Sequence, residues 1–465
     1  MFSKGLFNTA IVRYMQQVYK WTPLRWNPAR MGVAAWRDEI SPEAVTYPQQ
    51  NPGYKLGARR FSLRARGRVP VSSGRFYRLG RKRVQFRRLE CLNGAWRRSS
   101  QGLVLTVLFL LTAATVSLGQ NPSAPAPRLH TYYIAADEVT WDYTPGGRNL
   151  TGMPHVEGSD EESTASASRS HRSYLKAIFR EYTDASFRTL NPRPLEWEHL
   201  GILGPLIRAE VGDRIEVYFK NNTKLTCSIH PHGVSYAKDS EGAMYNDGTQ
   251  GAAKKDDMVP PGGSFTYRWN VPERAGPAHG DGSSILWMYH GHFVESKDMN
   301  TGLLGPIIVT ARGEGRADGT PKDVDREFVT AFALFDETDS WYFSDPRKMG
   351  TSLSMKITDR VFREQNVLYS INGLIEGNLP LLTMRRGERV RWYLLSNSNE
   401  DDVHTVHWHG QTVVFNHMRT DTVPLGPMAM AIADMVPDKE GTWLYHCHVN
   451  DHMIGGMQAL FKVLP

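Results

Sequence analysis

Residues 446–464 read HCHVNDHMIGGMQALFKVL, and residues 290–311 read HGHFVESKDMNTGLLGPIIVTA. Each stretch opens on a His-x-His that closes an aromatic-rich run, passes through a Gly-bearing turn, and ends in a short apolar run of strand type. Alternation of period two, as in Gln458–Leu464 (QALFKVL), puts successive side chains on opposite faces of a strand. The echo predicts two copies of one β-sandwich.

Outward from these stretches, residues 120–465 keep the same character. Arg214–Lys220 (RIEVYFK), Ser264–Asn270 (SFTYRWN), Glu327–Phe335 (EFVTAFALF) and Arg389–Leu395 (RVRWYLL) are short alternating runs bounded by Gly, Pro, Asp or Asn. Many short strands separated by turn signals indicate sandwiches or barrels, so the fold class is all-β. One helix is expected over Ser173–Tyr182 (SYLKAIFREY), where apolar positions recur at helical spacing, and the polar stretch Gly158–Arg172 reads as a surface loop. Arg312–Asp325 (RGEGRADGTPKDVD), rich in Gly and charge, reads as a linker. The expected organisation is a first domain at 120–312, a linker at 313–326 and a second domain at 327–465.

The overall net charge of +7 misleads, because residues 1–100 hold 21 Lys and Arg against four acids while the remainder holds 34 against 44. The β-rich part is acidic, and the basic part lacks a globular hydrophobic period. That argues against nucleic acid as a partner. Three cysteines (Cys91, Cys227, Cys447) are too few for a disulfide scaffold, so the chain must stand on a hydrophobic core.

Gly102–Gly119 (GLVLTVLFLLTAATVSLG) carries no charge, follows Arg97 and Arg98, and ends in small residues. That is the layout of a secretory signal. The long basic segment in front of it, residues 1–101, then reads as disordered or absent from the mature chain. A second reading is an uncleaved signal anchor, since 18 residues just suffice to span and the Arg-rich flank fits a cytoplasmic side. A third is a buried core helix. The first two place residues 120–465 outside the cytosol, secreted or membrane-anchored, and two sequons, at Asn149 and Asn221, fit a glycoprotein of that compartment.

Histidine carries the chemistry. None of the 16 histidines lies in the first hundred residues, and ten fall into four groups: His230/His232, His290/His292, His404/His407/His409, and His446/His448/His452. Each His-x-His aims two imidazoles at one point, because residues two apart on a strand share a face. The pairs 230/232, 290/292, 407/409 and 446/448 offer eight nitrogens, which suits a cluster of three coppers better than one ion. Cys447 lies between two of these histidines and therefore projects to the opposite face, where His404 can also turn. With His452 and Met457 they make a His₂Cys set with a thioether, the donor set of a blue-copper electron-transfer site. The run His446-Cys447-His448 joins the two sites covalently.

These motifs, in this order, resemble the multicopper oxidases. The flanking text is similar to the ceruloplasmin and hephaestin branch: TWDY at 140–143, EYTDASF at 181–187, LGPLIRAEVGD at 203–213, SINGLIEGNLPLLTM at 370–384 and DVHTVHWHG at 402–410, so the resemblance covers 129–465. It implies cupredoxin-like Greek-key domains and four coppers per chain. A type 1 copper would sit on His404, Cys447, His452 and Met457, a type 2 copper on His230 and His407, and a type 3 pair on His232, His290, His292, His409, His446 and His448. The first domain lacks a Cys in its His290/His292 motif and should hold no type 1 copper. Where ceruloplasmin resembles three such domain pairs in tandem, this chain has one. The resemblance therefore implies a homotrimer that closes the ring, with each cluster shared between chains.

The same resemblance places Glu364 and Asp451 beside the type 1 site as Fe(II)-docking acids, with Tyr369 where the family has a His. Hard carboxylates favour Fe(III) and so ease oxidation of Fe(II). A plain structural role for Asp451, orienting His452, is the alternative. Asp256 and Asp257, with the Lys238 carbonyl, resemble the family's calcium loop. Three function classes stand: an extracellular ferroxidase using Fe(II) and O₂; a laccase-like oxidase of phenols, aromatic amines or other metal ions, marked by an open apolar pocket instead of flanking acids; and a non-catalytic module like the coagulation-factor A domains, which the intact ligand set opposes. A copper nitrite reductase would place its type 1 site in the first domain and lack the eight-His cluster.

Overall fold

The computed structural model describes residues 126–153, 173–344, 359–397 and 402–465. The basic segment 1–101, the apolar run 102–119 and the polar stretch up to residue 172 lie outside the described residues. Among the described residues no helix is long and apolar enough to cross a membrane.

Among the described residues nine strands precede residue 311: β1 (Leu129–Asp142), β2 (Ser173–Tyr182), β3 (Ile207–Glu210), β4 (Arg214–Asn221), β5 (His230–Pro231), β6 (Ser235–Tyr236), β7 (Ser264–Asn270), β8 (Ser284–His290) and β9 (Leu304–Thr310). Eleven follow residue 325: β10 (Arg326–Asp336), β11 (Val367–Ile371), β12 (Leu382–Arg385), β13 (Val390–Asn397), β14 (His404–Trp408), β15 (Val413–Phe415), β16 (Met418–Thr420), β17 (Thr422–Leu425), β18 (Met430–Met435), β19 (Gly441–Cys447) and β20 (Gln458–Leu464). The first set forms sheets ordered β2-β1-β4-β7-β6 and β3-β9-β8-β5. The second forms β11-β10-β13-β18-β15-β16 and β12-β20-β19-β14-β17. Their topologies repeat: β1 runs parallel to β4 as β10 does to β13, and β3 runs parallel to β9 as β12 does to β20. The other ladders are antiparallel, the pattern of two all-β sandwiches with crossing connections.

Local sequence explains most strands directly. In β4, Ile215, Val217 and Phe219 are buried while the residues between them are half-buried or exposed, the alternation its sequence announces. Ser173–Tyr182 departs from the helix expected there. It is strand β2, paired antiparallel to β1 from Ser173↔Asp142 to Tyr182↔Tyr133. The reason is burial on both faces: Ala177 and Phe179 enter the core of the first sandwich, while Tyr174 and Ile178 pack into the core between the two sandwiches. Two-sided burial fills both parities of a strand and so imitates helical spacing.

The inter-sandwich core is continuous with the structure on either side. Leu286, Met288, Leu304 and Ile308 from β8 and β9 pack against Val329, Ala331, Ala333, Tyr393 and Leu395 from β10 and β13, whose opposite faces (Phe328, Phe332, Trp392, Leu394) line the second sandwich. Polar groups pin this seam. Asn372, at φ 53°, accepts from Ala331 N at 2.6 Å and donates to His199 O at 2.6 Å and Val329 O at 2.9 Å. Lys176, wholly buried on β2, pairs with the carboxylate of Glu337, which also accepts from Tyr143 at 2.6 Å; Lys176 donates in addition to Asn300 O at 2.6 Å. Residues 312–325 form a tied turn: the Glu210 carboxylate accepts from Gly313 N and Gly315 N, both at 3.1 Å.

One sequence expectation loses its basis here. Asn221 is fully buried and its amide donates to Leu225 O at 2.7 Å and Val259 O at 2.8 Å, so this sequon serves the fold and offers no glycan acceptor in the folded chain. Asn149 is half-buried in a turn that closes on Thr151.

Candidate metal centre

Two adjacent antiparallel strands place each histidine group. His230 on β5 stands directly opposite His290 on β8, and His407 on β14 directly opposite His446 on β19. The second His of each motif lies two residues on, and the result is two quartets. In the first, ring centroids of His230, His232, His290 and His292 lie 5.0–5.6 Å apart, and His232 Nε2 meets His290 Nε2 at 3.0 Å. In the second, the contacting rings of His407, His409, His446 and His448 lie 4.9–5.6 Å apart, and His409 Nε2 meets His446 Nε2 at 3.1 Å. Among the described residues no ring contact joins one quartet to the other. The eight imidazoles of one chain therefore form two half-cavities, with His409 and His448 exposed.

The tautomers are set by backbone carbonyls. Nδ1 of His230, His290, His407 and His446 donates to Glu241 O (2.7 Å), Gly291 O (2.9 Å), Asp421 O (3.0 Å) and Cys447 O (2.7 Å). Each Nε2 lone pair is left for an ion. Burial holds His290 well below the usual imidazole range and takes His232 and His446 down to about 4, so these rings are neutral donors near neutral pH.

On the other face of β19 the parity rule delivers the second site. Val406 pairs with Cys447 in register, so Cys447 turns into the core, and His404, two residues from Val406, turns with it. The turn and short helix Asn450–Ile454 bring His452 back over the strand end, and Cys447 N donates to Met457 O at 3.1 Å, so the buried Met457 adjoins the same site. Cys447 Sγ lies 3.8 Å from His404 Nδ1 and 3.7 Å from His452 Nδ1, and the two Nδ1 atoms are 3.2 Å apart. At usual metal–ligand lengths of about 2.0–2.3 Å one ion reaches all three. Three soft or borderline donors converging in a buried pocket fit copper. Burial takes His404 down to about 3 and raises the Cys447 thiol, whose sulfur also accepts from Thr405 N at 3.4 Å.

The family models for multicopper oxidases match residues 199–314 and 347–465. The chain belongs to the multicopper oxidase family. It is 41% identical over 341 residues to Ferroxidase HEPHL1 of Homo sapiens (72% of this chain, 29% of that protein) and 40% identical over 359 residues to Hephaestin of Mus musculus (73% and 29%). It is 39% identical over 342 residues to Ceruloplasmin of Homo sapiens (71% and 32%). The chain thus spans about a third of the length of these relatives. Among solved structures, Blue Copper Oxidase from Nitrosomonas europaea aligns at TM-score 0.45 and 18% identity over 72% of this chain and 86% of that one.

In this multicopper oxidase the outer edge of the trio differs in detail from the acids read off the sequence. Asp451 is exposed in the first turn of the helix carrying His452, and Glu364 is exposed at the end of helix Asp359–Glu364. The further carboxylate set against His452 is Asp402, with Oδ1 3.9 Å from His452 Nε2. Burial lowers the basicity of His452, while Asp402 and Asp451 oppose that effect. Asp402 opens the DVHTVHWHG stretch, two residues before a ligand, a signal the sequence held. Tyr369 lies over the His452 ring at 5.0 Å and 30°, and a Cβ at Gly455 would come within 2.4 Å of the tyrosine ring, so this glycine is what lets the ring seat.

Among the described residues, the first sandwich of this multicopper oxidase has no equivalent trio. Gly291 stands between His290 and His292, and a Cβ there would meet Asp298 at 2.8 Å. Asp298 fills the space, accepting from Trp341 Nε1 at 2.7 Å and Phe293 N at 2.8 Å, and Cys227 is a buried thiol pushed up to about 12 by its surroundings. At the expected calcium loop, Asp256 is fully buried, with Oδ2 accepting from Gly242 N at 2.9 Å and Oδ1 without a partner. Burial raises this carboxyl to about 6. Lys254 pairs with Asp257 at 2.8 Å and Asp247 at 2.9 Å, and the Lys238 ammonium pairs with Glu241.

Proposed function

We infer that this chain is a ferroxidase, taking electrons one at a time from Fe(II) beside His452 and delivering four of them to O₂, which becomes water. The observation that carries it is the covalent run His446-Cys447-His448: one strand presents a thiolate to the buried trio and, through adjacent peptide units, two imidazoles to a quartet. Copper, when bound, supplies the redox chemistry at both places, and Met457 completes the first donor set. The chain's own residues bind and orient. Asp451, Asp402 and Glu364 supply hard oxygens for the entering iron, Thr405 N hydrogen-bonds the sulfur, and the backbone carbonyls at 241, 291, 421 and 447 fix each Nε2 as a donor. Asp256 and Asp257 would hold calcium. The apolar run 102–119 supports placement outside the cytosol.

The two half-cavities support a cluster that closes between copies, His230, His232, His290 and His292 from one and His407, His409, His446 and His448 from another, with a type 2 copper on His230 and His407 and a type 3 pair on the rest. Because the two faces differ, copies join head to tail, and three reproduce the six-domain ring of the resemblance. Mixing a His230→Ala/His232→Ala chain with a Cys447→Ser chain tests this, since shared sites restore part of the activity and sites within one chain restore none.

The function itself is tested by O₂ uptake of the copper-loaded protein with Fe(II) and with a phenol in parallel. Tyr369 favours the second reading, an aromatic donor stacked beside His452. A phenol oxidised more efficiently than Fe(II), with the preference lost in Tyr369→Leu, would establish that reading instead.

A further inference from the structure

At the edge of the seam, strand β2, the loop 190–197 and the start of β3 surround a cavity of about 470 Å³ whose apolar walls include Ile178, Leu190, Pro192, Pro194 and Leu206. That volume falls within the roughly 300–1,000 Å³ of small-molecule sites, which are mostly apolar with a few placed polar groups. None of the histidine or cysteine donors described above lines it.

Four charged side chains lie on this wall, and two of them are already neutralised. Arg208 forks onto Glu327, Nη1 to Oε1 at 3.2 Å and Nη2 to Oε2 at 2.7 Å, and Arg180 faces Asp137 at 3.6 Å. The other two, Arg193 and Glu181, have no group of opposite charge within ion-pair distance among the described residues. Arg193 donates through Nη1 to Gly201 O at 2.9 Å and through Nη2 to Leu203 O at 2.6 Å. These bonds close the turn, but they use two of the five guanidinium N–H groups and cancel no charge. Glu181 is steadied by the side chain of Asn191. Burial disfavours both charges, holding the Glu181 carboxyl above the usual carboxylate range and the Arg193 guanidinium below its own. The two sit on adjoining segments, because Asn191 N donates to Glu181 O at 2.9 Å and Arg193 follows two residues on. Trp197 beside them is fixed by the His199 ring at 5.3 Å and the Arg208 guanidinium at 5.2 Å, so the wall is organised before any ligand arrives.

A buried charge without a counter-charge is unfavourable, and a ligand that supplies the missing charge relieves it through a charge-assisted hydrogen bond. We propose that this cavity binds a small zwitterion with an apolar body, a free apolar α-amino acid or a short apolar peptide. Its carboxylate meets Arg193, its ammonium meets Glu181, and its side chain lies against Leu190, Leu206 and the prolines. The site is separate from the copper and iron chemistry and does not rest on it.

Equilibrium dialysis of the copper-loaded full chain against L-leucine and against leucyl-leucine tests this and tells the two sources apart. The same compounds are run N-acetylated, which removes the ammonium, and C-amidated, which removes the carboxylate. One zwitterion or both should bind at one per chain, and each one-charge form at least 10-fold more weakly. Glu181→Gln should weaken the zwitterion at least 10-fold and leave the N-acetylated form unchanged. Leu206→Trp, which fills the cavity and touches neither charge, should abolish binding. Both variants should keep the copper content and blue colour of the wild type as proof of folding. Arg193→Gln is not the deciding variant, because it also releases the carbonyls of Gly201 and Leu203. No binding of either zwitterion at about 10 mM, equal affinity for zwitterion and one-charge forms, or binding unchanged in both Glu181→Gln and Leu206→Trp would overturn the proposal.

Discussion

His199 gives the seam between the sandwiches a measurable response to pH. It lies in the 3₁₀ turn Leu195–Leu200, 4% exposed, with Nδ1 donating to Glu196 O at 2.9 Å and Nε2 accepting from Val329 N at 3.2 Å, between the rings of Trp197 and Phe328. A proton on Nε2 would face the N–H of Val329. Burial accordingly takes this imidazole from 6.5 down to about 4, and Arg193 adds to the effect. The unfolded chain takes up a proton below pH 6.5 that the folded chain refuses until about pH 4, so stability drops as the pH is lowered across that window and is flat outside it. The full shift corresponds to about 3.4 kcal/mol at 1.36 kcal/mol per unit, of which about 2.5 kcal/mol is already lost at pH 4.5. The perturbation is His199→Gln, which cannot titrate there. The variant should be less stable by about 1–3 kcal/mol at pH 7.5, where the Val329 N–H loses its acceptor. That deficit should shrink by about 2.5 kcal/mol at pH 4.5, so the curves converge or cross. Urea unfolding of both proteins at the two pH values reads the difference, and the copper-ligand histidines, common to both, cancel. A gap that is the same at pH 7.5 and 4.5 would refute a neutral, buried His199.

Three further outcomes are expected. Cys447→Ser should abolish the blue colour and most oxidase activity while leaving about three coppers per chain by metal analysis, because the imidazole pairs and His230/His407 are untouched. Asp451→Ala, Glu364→Ala and Asp402→Asn should each raise the KM for Fe(II) far more than that for a bulky organic donor in steady-state O₂ uptake; equal losses with both donors would make these acids structural. Lys176→Met should cost about 3–5 kcal/mol in urea unfolding by leaving Glu337 buried and unpaired, and the double variant Lys176→Met/Glu337→Leu should recover most of it.

What the sequence determined by itself was whatever depends on parity along one strand. Two-residue spacing fixed that His407 and His409 share a face and that Cys447 leaves the face of His446 and His448. Alternation likewise announced β4, β7 and β20, because one face of each is core and the other is not. Tertiary structure decided whatever depends on which two surfaces meet. Ser173–Tyr182 is a strand because the second sandwich buries its other face, which period counting along one segment cannot register. The sequon at Asn221 is a core hydrogen-bonding residue because β4 ends against the loop that supplies Leu225 O and Val259 O. Asp402 sits against His452 and His199 against Val329 through contacts between segments 50 and 130 residues apart. The division of the eight imidazoles into two half-cavities is the largest such decision: strand parity aims each pair, but only the packing of sandwich on sandwich determines whether the pairs aim at each other.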